Sequence, residues 1–82
     1  MQQLLLTPAQ LGQVLTARRK AQNISQGAVA QRLGISQNRF SELEQDPARL
    51  TLDRLLALVN SLGLELVIQD KATPASGSPS EW

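Results

Sequence analysis

Ser25 and Ser36 each stand directly before a short amphipathic segment, and Gly34 closes the first segment just as the second is about to begin. No other feature constrains the fold as tightly. A serine hydroxyl accepts from a first-turn N–H and starts a helix. A glycine just past the last turn takes the left-handed conformation that ends one. The expected helices are Gln26 to Leu33, with Val29, Ala30 and Leu33 inward, and Gln37 to Gln45, with Phe40 and Leu43 inward. Ala30 is small where the two cross closely, Ile35 packs beside the turn, and Asp46-Pro47 breaks the second helix.

Similar punctuation recurs on either side. Thr7 caps a first helix with Pro8 at its opening position and Gln10 completing a capping box. Leu11, Val14 and Leu15 share one face, and Asn23 ends it. Thr51 caps a last helix running to Leu62, and Gly63 closes it. Its stripe of Leu52, Leu55, Leu56, Leu58, Val59 and Leu62 is wider than one small core needs. The fold class is all-α, with four helices.

Leu64–Gln69 partly alternates and is rich in branched residues, the pattern of a strand. A lone strand leaves its backbone groups unpaired, and the rival within the chain is the short Gln2–Leu6 segment. The economical solution is the same strand from a second copy, paired about a two-fold axis. A homodimer is therefore expected, held by Leu58, Leu62, Leu64, Leu66, Val67 and Ile68.

Composition narrows the function. A chain of 82 residues makes one small domain, burying only about 60–65 % of the surface its unfolded form exposes. It has no Cys, which excludes disulfides, and no His, which removes the usual general base and the commonest transition-metal ligand. The acids are spread out and converge on no nucleophile–base set. No enzyme, metal or cofactor is expected. The N-terminus lacks the basic and apolar regions of a signal peptide, and no apolar run approaches the ~20 residues that span a bilayer. The expected location is the cytoplasm, on the nucleoid when bound to DNA, with no membrane partner.

The net charge of +1 hides an asymmetry, because Arg18, Arg19, Lys20, Arg32 and Arg39 precede every acid in the chain. Such segregation suits a polyanion. The pair of helices around Gly34 has the spacing of a helix-turn-helix, and its second member turns Gln37, Asn38 and Ser41 outward. Amides and hydroxyls there match the donor–acceptor code of base edges in the major groove of double-stranded DNA. Ser25, the start of the helix at Gln26, Arg39 and Lys20 are placed to grip phosphates. Glu42 would repel phosphates unless it accepts from a cytosine amino group. Arg18 and Arg19 both lie beside the inward stripe of the first helix. One of them is expected to pair with Glu44, leaving the other to reach the DNA backbone with Lys20.

Residues 11–62 resemble the Cro/C1-type (XRE) phage-repressor helix-turn-helix family. The resemblance rests on Leu15…Arg19, Ser25-Gln26, Val29-Ala30, Leu33-Gly34-Ile35-Ser36 and Ser41…Glu44. It implies that Arg19 and Glu44 form the internal ion pair and that Gln26, Gln37, Asn38 and Ser41 lie at DNA. Gly27 departs from the Glu or Gln usual there. The Thr-Pro-x-Gln-Leu opening, the Thr-Leu-x-x-Leu-Leu helix, the following strand and a tail ending Glu-Trp further resemble the HipB-type antitoxins. That resemblance implies an operator-binding homodimer that restrains a HipA-type Ser/Thr kinase toxin and represses the shared operon. The runner-up is a stand-alone phage-type repressor.

The expected domain, for DNA binding and dimerisation, is residues 7–69. Residues 70–82, rich in Pro, Ser, Gly and Ala, form an expected disordered tail. At its end Trp82 is a candidate plug for a pocket on the toxin or a mark read by a protease.

Overall fold

The computed structural model describes residues 2–71. The elements are α1 (Pro8–Ala21), α2 (Gln26–Leu33), α3 (Gln37–Gln45), a 3-10 turn (Pro47–Arg49) and α4 (Leu52–Ser61). Each α-helix opens on a hydroxyl. Thr7, Ser25, Ser36 and Thr51 accept from the N–H groups of Gln10, Ala28, Arg39 and Arg54. The box at α1 is complete, since the Thr7 N–H donates to Gln10 Oε1 at 3.1 Å. At α4, the Thr51 hydroxyl beside Asp53 is the main cause holding that carboxyl below the usual carboxylate range.

Three helices stop by one device. Asn23, Gly34 and Gly63 are left-handed, with φ of 57°, 72° and 72°. At each stop the next residue's N–H reaches five residues back: Ile24 to Arg19 O (3.1 Å), Ile35 to Ala30 O (3.0 Å) and Leu64 to Val59 O (2.9 Å). This double-bonded stop satisfies carbonyls that a helix end would otherwise orphan. The residue after each stop is apolar, and Ile24, Ile35 and Leu64 all fold back onto the core.

That core is aliphatic around a single ring: Leu15, Val29, Ala30, Phe40, Leu58, Val59 and Leu62 are all buried. Gly12 is also buried, although the stripe Leu11, Val14, Leu15 gave no reason to place it inside. A Cβ at Gly12 would lie 2.6 Å from Pro47 Cγ and 3.2 Å from the Glu44 carbonyl oxygen. Only a glycine lets α1 approach the end of α3 and the 3-10 turn this closely.

One expectation needs correction. Leu58 and Leu62 are 2 % and 1 % exposed, so their surface is already spent inside their own chain and leaves nothing for a second copy. The width of the α4 stripe is accounted for instead by Leu52 and Leu56, which face solvent. Residues 64–69 carry no strand, and there is none among the described residues, since a single chain offers no ladder there. Leu66, Val67 and Ile68 stand exposed. With Gln2–Leu5, residues 64–67 line a cleft of about 640 Å³ floored by Leu11, Val14, Leu15 and Val59. Residues 72–82, Trp82 among them, lie outside the described residues.

Candidate nucleic-acid interface

The inward residues of α3 fix its outward ones. Phe40 and Leu43 are buried, which turns Gln37 and Asn38 to solvent and leaves Ser41 half-buried at the edge of the same face. The exposed N-termini of α2 and α3 carry Ser25 and Ser36 as caps, each hydroxyl accepting a first-turn N–H at 3.0 Å. A capping hydroxyl keeps its own proton free to donate, so Ser25 can still serve a phosphate. Lys20 is exposed in the last turn of α1. Arg39 lies 3.7 Å from Glu42, both well exposed. A loose exposed pair of that kind contributes little and yields readily to a stronger anion.

Behind this face, Arg19 Nε donates to Glu44 Oε2 at 2.6 Å and Nη2 to Oε1 at 3.3 Å, while Nη1 donates to the Ile24 carbonyl at 2.9 Å. Gln26 Nε2 donates to Glu44 Oε1 at 2.8 Å. Glu44 therefore ties α1, α2 and α3 together at one point. The Gln26 side chain is committed there, so what Gln26 has to offer a phosphate is the main-chain N–H of a first helical turn.

The sequence expectation that the other α1 arginine reaches DNA does not hold for Arg18. Its Nε donates to the Leu62 carbonyl at 3.2 Å, and Gln22 Nε2 donates to the same oxygen at 2.7 Å. Arg32 Nη1 donates to the Ser61 carbonyl at 3.1 Å and to its hydroxyl at 3.3 Å. These side chains cap the negative end of α4 from two other helices, where cations are favoured. Sequence reasoning missed this role. Its only signal was an arginine on a helix whose outer face already held a cation. Arg49, exposed on the 3-10 turn just past α3, was also missed as a candidate phosphate ligand.

No helix among the described residues is long and apolar enough to cross a membrane. The arrangement as a whole is a rigid scaffold that presents amides and hydroxyls on one short helix beside two helix N-termini. It is suited to reading one groove of a duplex.

The comparisons agree with that geometry. The helix-turn-helix family model HTH_3 matches residues 15–69. A solved HipA–HipB–O2–O3 complex contains a chain superposing with a TM-score of 0.78 at 27 % identity, covering 87 % of this chain and 100 % of that one. A HipB–O1–O2 complex contains another, with a TM-score of 0.76 at 28 % identity, covering 84 % of this chain and 100 % of that one. A chain described as MDT protein matches with a TM-score of 0.78 at 27 % identity, over 87 % and 100 % of the two chains. No curated protein sequence matches. With more than half its length matched by the family model and a fold shared with HipB structures, this chain belongs to the helix-turn-helix family as a Cro/C1-type DNA-binding regulator of transcription.

Proposed function

We propose that this chain is the antitoxin of a HipA/HipB-type module, a homodimer that binds its own operator and restrains a Ser/Thr kinase toxin. The observation that carries the reading is the superposition on a chain of the HipA–HipB–O2–O3 complex over that chain's full length. The match extends beyond the helix-turn-helix itself and takes in the flanking segments. In this reading the domain is residues 7–69, and the dimer forms by pairing residues 64–69 of two copies. Leu66, Val67 and Ile68, exposed in the single chain, supply its apolar side. Two copies of α3 then enter successive major grooves roughly 34 Å apart.

Gln37, Asn38 and Ser41 read base edges. Ser25, the N–H of Gln26, Lys20, Arg39 and Arg49 hold phosphates. Trp82 contacts the toxin or marks the chain for a protease.

The test is a pull-down of the tagged full-length protein from its native host, read by mass spectrometry, alongside a version lacking Trp82. Capture of a HipA-type kinase by the full-length bait supports the antitoxin reading, and its loss with Trp82 removed assigns the tail to the interface. Absence of any kinase while one is expressed leaves a stand-alone repressor as the better account.

A further inference from the structure

Six of the eight large apolar side chains that stand exposed among the described residues lie in two short stretches. Leu4, Leu5 and Leu6 precede α1, and Leu66, Val67 and Ile68 follow α4. Neither stretch is helix or strand. Residues 2–5 and 64–67 border the same cleft of about 640 Å³, over Leu11, Val14, Leu15 and Val59. They border it without bonding to each other. Among the described residues, the main chain of 2–5 and of 65–69 makes no hydrogen bond to other main chain. The N-terminal arm is tied at its end, where the Leu6 N–H donates to Gln10 Oε1 at 2.6 Å. Two extended segments with open backbone edges thus flank a slot with an apolar floor.

A strand has two edges. The pairing of residues 64–69 with those of a second copy, on which this inference rests, uses one edge of each and leaves the other bare. Two strands alone are marginal, and three or more over an apolar face make a lasting sheet. Six residues a side also fall well short of the roughly 20–30 that a stable interface employs. We propose that the cleft seats residues 64–69 of a second copy of this chain, and that the arm Gln2–Leu6 is the outer strand that closes over them. The exchange is reciprocal. The sheet then runs in the order arm, the second copy's 64–69, the first copy's 64–69, the second copy's arm. Each central strand gains main-chain partners on both edges. Leucines 4 and 66, Val67 and the cleft floor leave water together. Charge suits the insertion as well, since the incoming segment carries one charged residue, Glu65, and Arg18 borders the cleft.

The chain has no native cysteine, so introduced ones report cleanly. In the test, Gln3→Cys, Leu4→Cys and Leu5→Cys are made singly in full-length chains, and Leu66→Cys and Val67→Cys in chains carrying a larger tag. Each arm variant is mixed with each segment variant, left to exchange and oxidised. Residues opposed across paired strands lie within disulfide reach, so at least one mixture should give a product joining the two tag sizes. No mixed product from any pair overturns the proposal. Sedimentation equilibrium of full-length Leu4→Asp supplies the second arm. Its dimer dissociation constant should rise at least tenfold, the order expected for taking one leucine out of apolar contact. Its helix content should be unchanged, because Leu4 is 74 % exposed in the single chain. An unaltered dissociation constant overturns the proposal. If Ile68→Asp breaks the dimer and Leu4→Asp does not, the pairing of residues 64–69 stands and the part given to the arm falls. A wild-type chain that sediments as a monomer throughout ends both.

Discussion

Arg19 and Glu44, far apart in sequence, meet as a forked pair whose shorter arm is 2.6 Å, with both side chains about nine-tenths buried. A buried pair of this kind is costly to break, because removing one partner strands the other charge. Glu44→Ala also removes the acceptor of Gln26. Urea denaturation should show a loss of about 3–5 kcal/mol. Replacing both partners together, Arg19→Met with Glu44→Leu, should recover a large part of it. A double variant no more stable than Glu44→Ala would show that the pair is not the source of the effect.

Gly12→Ala should destabilise the protein even though alanine is the better helix former. The added carbon meets the rigid ring of Pro47 and the main chain of Glu44. Overpacking of this kind costs about 1–3 kcal/mol. Calorimetry decides the sign: a midpoint equal to or above that of the wild type would mean that the 3-10 turn gives way freely.

Leu58 and Ile68 separate folding from association. Leu58 is 2 % exposed and Ile68 is 99 % exposed. Leu58→Ala should therefore cost about 2–5 kcal/mol of stability. Ile68→Asp should leave monomer stability almost unchanged while shifting sedimentation equilibrium toward the monomer. An Ile68→Asp protein that still sediments as a dimer would exclude residues 64–69 as the pairing segment.

Gln37 and Lys20 should differ in the kind of loss they cause. Gln37→Ala should cost about 1–3 kcal/mol and relax discrimination at one base pair. Lys20→Ala should weaken binding to cognate and scrambled duplexes alike and reduce the salt slope by about one. Filter binding across a salt series reads both. A Lys20→Ala protein with an unaltered salt slope makes no contact with phosphate through that residue.

The helices and their ends were legible in the sequence because caps and stops are local. Thr7, Ser25, Ser36 and Thr51 each act on an N–H three residues away, and Gly34 and Gly63 bend their own backbone. The outward face of α3 followed from the spacing of Phe40 and Leu43. What stayed hidden depends on partners distant in the chain. Arg18 and Arg32 looked like free cations because the carbonyls that absorb them belong to the end of α4. Leu58 and Leu62 looked available because periodicity tells which side of a helix is apolar without telling whose core it fills. A glycine within the α1 pattern was the one clue to the contact with Pro47, since such a residue usually signals a packing need.

The carbonyl caps on α4 also bear on how such a protein would spend its time in a cell. Duplex DNA holds a protein non-specifically in proportion to the phosphates it can neutralise. Arg18, Arg19 and Arg32, three of the five cations that precede every acid, are bound to oxygens of their own fold. A phosphate reached by any of these three side chains has to compete with an oxygen of the fold itself, so sequence-independent binding would draw less on them than their number suggests.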